Sequence, residues 1–276
     1  MDTIACDYYA VDRETKHAGT VHYKFDDSPF LLYEVMRTTK GIIVFLEDHL
    51  ERLKNSLATL APDHFFNGHD PVENMNCLLM ANGYREGNIK LLCRPSASGL
   101  TYASYYIPHT YPGENDYRRG VTLSAVRVER NDPNMKQIRI NHYIKQKVQS
   151  ALNSGFAYDF LLINNQGYIT EGSRSNFFLI KDNAIYSAEE QWILPGITRK
   201  HVLEIAESAG INIIESKIKL EEADRFEAAF ISGTSPKILP VSKIDDYRFM
   251  PDHVVTLLIM NEFNNRLNAY LLSKNK

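Results

Sequence analysis

Tyr168-Ile-Thr-Glu-Gly-Ser-Arg-Ser-Asn-Phe177 is the densest run of turn-forming and polar residues in a chain of 276. A short β-favouring stretch meets an acid, a glycine, three small or polar residues and an asparagine, and the apolar run Phe177 to Ile180 follows. So many turn formers do not suit a plain core strand, and the pattern fits a loop that meets a polar ligand. Taken alone, the fragment reads first as a polar β-turn. Upstream, Phe160 to Asn164 reads as a strand that turns at Asn165-Gln-Gly167, and downstream Ile185 and Tyr186 give another strand.

Two further runs share this character. Leu194-Pro-Gly-Ile-Thr-Arg199 places Gly196 just before a helix that runs from Thr198 to Ala209 and stops at Gly210. The unsatisfied amides at such a helix start, with the Thr198 hydroxyl, suit a phosphate, although for such a threonine taken alone an ordinary N-cap is the more frequent outcome. Ser232-Gly-Thr-Ser-Pro236 follows the apolar run Ala228 to Ser232 and either adds a phosphate contact or turns the chain.

The N-terminal half is of mixed α/β character. Short strands are expected between Tyr8 and Phe45, among them Val21 to Phe25 and, after a turn at Thr39-Lys40-Gly41, Gly41 to Phe45. Leu31 to Arg37 fits strand or helix. Glu47 to Leu57 is an amphipathic helix with Leu50, Leu53 and Leu57 on one face, ended by Pro62. Arg52 lies on it, where an arginine among carboxylates usually makes a surface pair. Pro71 to Met80 reads as a helix, and Ile89 to Cys93 and Leu100 to Ile107 as strands. The turn formers of Pro108 to Asn115 mark the region of a linker. The expected layout is a smaller α/β domain over 1–112, a linker over 113–119 and a larger, β-rich domain over 120–276, an α+β fold overall. That second domain opens with a strand from Val121 to Val128, breaks at Asn131 to Asn134, carries a helix ending at Gly155, and closes with a helix from His253 to Asn268.

A net charge of −3 gives no basic field for nucleic acid or a membrane surface. Cys6, Cys77 and Cys93 are too few and too widely spaced for a disulfide framework or a CxxC metal site. No leader-like N-terminus and no apolar run of about 20 residues is present, so the expected compartment is the cytosol. No metal is expected.

Together, Tyr33-Glu-Val-Met-Arg37, His49-Leu-Glu-Arg-Leu53, Thr170-Glu-Gly-Ser-Arg-Ser-Asn176, Leu194-Pro-Gly-Ile-Thr-Arg199 and Gly233-Thr-Ser-Pro236 resemble the fold-type IV pyridoxal-phosphate enzymes, the family of branched-chain and D-amino-acid aminotransferases. The resemblance covers nearly the whole chain and implies a two-domain fold, a homodimer and pyridoxal 5'-phosphate (PLP) as cofactor. It also implies a lysine about 19 residues before a helix-ending glycine and about 32 to 35 before the glutamate. Lys136, 19 before Gly155 and 35 before Glu171, meets both spacings. Lys145 and Lys147 compete, but sit on a helix and read as solvated.

Carried over by this resemblance, Lys136 binds the cofactor covalently and Glu171 holds its ring nitrogen. Arg52, the Gly196, Ile197 and Thr198 segment, and Thr234 would hold the phosphate, with Ser175 and Asn176 lining the cofactor. Tyr33, Arg37, Arg94, His109 and Ser235 are the substrate candidates, with Tyr105 a further possibility. Where some relatives have a tyrosine five residues after the lysine, this chain has Asn141, with Tyr143 two further on. The expected activity is amino-group transfer between an amino acid and a 2-oxo acid. A lyase of the same fold, like aminodeoxychorismate lyase, and a non-catalytic PLP-binding protein are the alternatives.

Overall fold

A computed structural model describes residues 4–20, 32–130, 132–137, 140, 143–146, 148 and 157–275. Its contacts divide into two compact units, one of residues 1–110, 135–139 and 270–276, the other of 111–134 and 140–269.

The first unit is built on an antiparallel sheet. Its strands are β1 (Tyr8–Val11), β2 (Glu14–His17), β3 (Leu32–Thr39), β4 (Ile42–Ile43), β5 (Gly87–Ser96) and β6 (Gly99–Ile107), in the order β2-β1-β6-β5-β3-β4. Of Leu31 to Arg37, open between strand and helix in the sequence, the described residues from Leu32 onward lie in β3. The expected turn at Thr39 to Gly41 joins β3 to β4 with positive φ at both Lys40 and Gly41, as a tight hairpin requires. Gly41 to Phe45 forms a strand only at Ile42–Ile43, because α1 (Leu46–Leu60) begins at once. That helix and α2 (His69–Ala81) cover one face of the sheet, burying Leu53, Leu57, Met75 and Leu78 against Leu32, Met36, Ile89 and Leu91. Alternation along β3 therefore aims Leu32, Glu34, Met36 and Thr38 at these helices, and Tyr33, Val35 and Arg37 at the opposite face. The expected strand Val21 to Phe25 lies outside the described residues.

In the second unit, the stretch 113–119 read as a linker is helical as α3 (Glu114–Arg119). There follow β7 (Val121–Arg127), β8 (Asp159–Ile163), β9 (Ile169–Gly172), β10 (Asn176–Lys181), β11 (Ala184–Ser187), α4 (Ile197–Ser208), β12 (Ile213–Glu215), β13 (Ala228–Gly233), β14 (Lys237–Ile244), β15 (Tyr247–Arg248) and α5 (Val254–Lys274), whose last residues, from Tyr270, cluster with the first unit. The mixed sheet runs β12-β11-β10-β13-β14-β7-β8-β9, with β15 on β14. Its buried strands read as nearly continuous apolar runs, Phe160 to Ile163 and Phe177 to Ile180 among them.

Ile140, Ile144 and Val148, all helical, pack on Phe160 and Leu162. Gly155 and the end of that helix lie outside the described residues. Among the described residues, no helix is long and apolar enough to cross a membrane.

Candidate active site

Glu171 is not in a loop. It sits in β9, with only 2% of its surface exposed, and the turn falls after it at Ser173 to Ser175. The strand forms because Gly172 lets the chain close on itself: a Cβ there would stand 2.1 Å from the Ser175 hydroxyl. Ser175 and Ser173 both donate to Asp159, at 2.7 and 2.6 Å. The Ser175 hydroxyl thus fastens the turn.

Among the described residues, three donors converge on the Glu171 carboxylate. Arg130 Nη1 donates to Oε1 at 2.6 Å, while the Leu194 backbone N–H and Asn176 Nδ2 donate to Oε2 at 3.0 and 3.2 Å. A carboxylate so deeply buried is sustained by this combination of a cation and oriented dipoles. Asn176 also donates to the Leu194 carbonyl at 2.8 Å, so the Leu194–Arg199 run is fastened directly to the acid. Gly196 completes the join, since a Cβ there would meet Asn176 Oδ1 at 2.0 Å.

The helix α4 starts one residue later, with buried Ile197 and Thr198 in its first turn. The first amides of a helix have no partner within it, and its dipole favours an anion at that end. Leu194 and Ile197 are three residues apart, at most about 11 Å of backbone. A buried carboxylate and a helix start that favours an anion are thereby placed close together along the chain. The third run joins them: Ser232 pairs across the sheet with Asn176, and Gly233 lies against the Arg174 carbonyl. Thr234 and Ser235, half-buried, form the turn between β13 and β14, and the buried Ser232 hydroxyl just before them finds no partner among the described residues.

Two arginines escaped the sequence reading. Arg130, 9% exposed at its side chain, stands two residues past the expected strand Val121 to Val128 and has no motif around it. Arg199, within a quoted motif, is buried and bonds Glu215 at 3.3 Å. Burial lowers its pKa, opposed by Glu215, Glu190 and Glu171.

The first unit holds the other residues. Lys136 lies beside β3: its carbonyl accepts the Tyr33 N–H at 3.1 Å, and Gln137 bridges to Leu32. Its Nζ is 5.3 Å from the centre of the Tyr33 ring, on which Lys90, 4% exposed, also lies at 4.7 Å. Lys145 is exposed; Lys147 and Asn141 lie outside the described residues; Tyr143 is exposed.

Arg52 is not in a surface pair. It is buried, and its Nε and Nη2 donate to the two oxygens of Glu34 at 2.9 and 2.5 Å, while His49 Nδ1 meets Glu34 Oε2 at 2.7 Å. Burial alone would raise the Glu34 pKa, but the Arg52 charge, the His49 hydrogen bond and the Lys136 charge outweigh it and hold the carboxyl below the usual carboxylate range.

The substrate candidates are not gathered in one place. Tyr33 and Arg37 share a face of β3, and Lys90 and Tyr105 are on it through the registers Val35↔Lys90 and Lys90↔Tyr105. His109 packs at Gly87 while Arg94 stands seven residues along β5, roughly 23 Å away at the strand rise. Both are half-buried, and His109 Nδ1 bonds the Ile107 carbonyl at 3.3 Å. Among the described residues, no cluster of three His, Cys, Asp or Glu side chains is placed to hold a metal ion.

Residues 31–244 match the family described as Amino-transferase class IV. The chain belongs to the class IV aminotransferases. It is 32% identical over 237 residues to a D-alanine aminotransferase from Bacillus licheniformis, covering 81% of each chain. It is 27% identical over 241 residues to a probable branched-chain-amino-acid aminotransferase from Rickettsia bellii, covering 84% of this chain and 82% of the relative.

Among solved structures, the PLP form of the branched-chain amino acid aminotransferase from Thermobaculum terrenum aligns with a TM-score of 0.79 at 20% identity, over 97% of this chain and 96% of that one. The branched-chain aminotransferase from Thermoproteus uzoniensis with norvaline aligns with a TM-score of 0.78 at 21% identity, over 95% of each chain. These likenesses bear out the two-domain fold-type IV architecture expected from the motifs. The aminotransferase is thus an enzyme of the expected class.

Proposed function

We propose that this aminotransferase binds PLP with Lys136 at its aldehyde and Glu171 at its ring nitrogen, and moves an amino group between an amino acid of the branched-chain or D-amino-acid type and a 2-oxo acid. The observation that carries this reading is the fastening of Glu171 to the Leu194–Arg199 run through Asn176 and the Leu194 N–H. The donor set fits the cofactor: a buried carboxylate for a protonated ring nitrogen, a helix start and an arginine for a phosphate, and a lysine amine. When bound, PLP supplies an aldehyde that captures the amino group and a ring that accepts electrons released at the substrate Cα.

Glu171 acts by holding a proton on the ring nitrogen, for which its charge must survive burial. Arg130 sustains that charge. Ile197 and Thr198, with Arg52 and Thr234, orient the phosphate, which leaves the Lys136 amine to take a proton from the substrate Cα and return it as acid. Ser175 and Asn176 act through the turn and the acid. Tyr33, Arg37, Arg94, His109 and Ser235 are the residues proposed to recognise substrate, and Lys90, on the Tyr33 face, joins them. The enzyme is further proposed to work as a cytoplasmic homodimer, each chain carrying a domain over 1–112 and a domain over 120–276, and light scattering on the purified protein checks the mass.

The test is a panel of L- and D-amino acids, each offered with 2-oxoglutarate. Glutamate formed from branched-chain or D-amino acids supports the reading. Release of pyruvate from aminodeoxychorismate without glutamate formation would place the chain with the lyases.

A further inference from the structure

Glu34 is an acid where the pattern calls for an apolar residue. It stands between Leu32 and Met36 on the face of β3 that packs against α1, 2% exposed, among side chains that are otherwise core. Replacing a buried ion pair by apolar residues of similar size is often neutral or stabilising, so stability alone does not account for an acid and an arginine here. What the pair does accomplish is geometric. The fork of Arg52 Nε and Nη2 onto Glu34 Oε1 and Oε2 fixes the plane of the guanidinium and turns the Nη1 edge away from the acid. His49, one turn earlier on α1, donates from Nδ1 to the same Oε2 and fixes the carboxylate in turn.

We infer that Glu34, held by His49, is a positioning residue that presents Arg52 to the phosphate of the cofactor. The inference rests on the reading of Arg52 as a phosphate-binding residue. An unrestrained arginine loses side-chain freedom when it grips an anion, and an arginine already ordered loses little, so its binding strength is kept for the ligand. The acid also lowers the net charge of the cluster, so the phosphate meets a cation whose place is set before it arrives. Burial holds the His49 pKa below its ordinary value, which keeps the imidazole a neutral donor to the acid.

The experiment compares two ligands that differ only in the phosphate. Dissociation constants of PLP and of pyridoxal are measured by absorbance titration of the apoenzyme for the parent, Arg52→Met, Glu34→Gln and His49→Gln proteins. In Glu34→Gln the preference for PLP over pyridoxal is expected to fall on the order of tenfold, the size of one charge-assisted hydrogen bond, with pyridoxal affinity unchanged. His49→Gln is expected to show a smaller fall in the same ratio. A ratio that falls in Arg52→Met but stays at the parent value in Glu34→Gln overturns the inference and leaves the Arg52 reading standing. A ratio unchanged in Arg52→Met overturns that reading and the inference with it. Should Glu34→Gln fail to fold, His49→Gln decides: an unchanged ratio overturns the inference, and a selective loss of PLP supports it.

Discussion

Glu34 and Glu171 are both 2% exposed and both bonded to an arginine, yet the two pairs are built in opposite senses. At Glu34 both carboxylate oxygens are taken by the fork of one guanidinium, and a histidine adds a third bond. The acid there serves the arginine. At Glu171, among the described residues, the arginine donates to Oε1, and neutral donors, a backbone N–H and an asparagine, donate to Oε2. There the arginine serves the acid. A buried ion pair therefore does not identify its working member by itself; the way the bonds are shared between the partners does.

The sharpest way to break this contrast is to remove the charge of each acid in turn. Glu34→Gln leaves Arg52 buried without a counter-charge and is expected to cost about 3–5 kcal/mol of stability in urea unfolding of the apoprotein. Glu171→Gln likewise leaves the buried Arg130 without its counter-charge and is expected to cost a similar amount of stability, about 3–5 kcal/mol, but it alone slows turnover far more than it weakens cofactor binding. Equal losses of turnover in the two variants would erase the distinction. Next in size, Arg130→Met leaves the cofactor bound but is expected to lower kcat about tenfold or more, the loss of one charge-assisted bond of about 1.5–3 kcal/mol. Single-turnover rates check this, and a rate at the parent value would remove Arg130 from the account.

Smaller effects sharpen the picture. Gly196→Ala has no backbone strain to overcome, but its methyl must displace Asn176 Oδ1, and with it the bonds to Glu171 and Leu194. A loss of about 1–2 kcal/mol in thermal unfolding is expected, together with weaker PLP retention. The smallest concerns acid. Burial lowers the His49 pKa below 6.5, so below about pH 6.5 the unfolded chain takes up a proton that the folded chain resists, and stability falls as pH drops. The Glu34 carboxyl is held below its ordinary 4.5, so its contribution is present above about pH 4.5 and lost as pH falls further. His49→Gln is expected to flatten the stability curve just below pH 6.5, read from urea midpoints, and to leave the fall below pH 4.5 in place.

The legible parts of the molecule were those where chemistry and periodicity coincide. The α1 stripe of Leu53 and Leu57, the α2 helix and the apolar β8 and β10 strands follow directly from spacing. Glu171 was legible because an acid followed by Gly-Ser-Arg-Ser-Asn is unusual inside an apolar sequence, though its place in a strand was hidden by those same turn formers. β14 was not read, because Pro240 breaks its pattern; the strand survives since its pairing with β7 begins only at Val241. Arg130 could not be seen, as an arginine after a strand carries no local signal and its partner is 41 residues away. Glu34 does carry a signal, an acid on the apolar alternation of β3. Lys136 was reached through spacing from a resemblance, and nothing in its own neighbourhood in sequence singles it out.

The most direct test of the account is therefore chemical. The PLP-loaded enzyme is reduced with borohydride, digested and mapped by mass spectrometry to find which lysine carries the phosphopyridoxyl group. The group is expected on Lys136. Its appearance on Lys145, Lys147 or Lys90 with Lys136 unmodified would contradict the account.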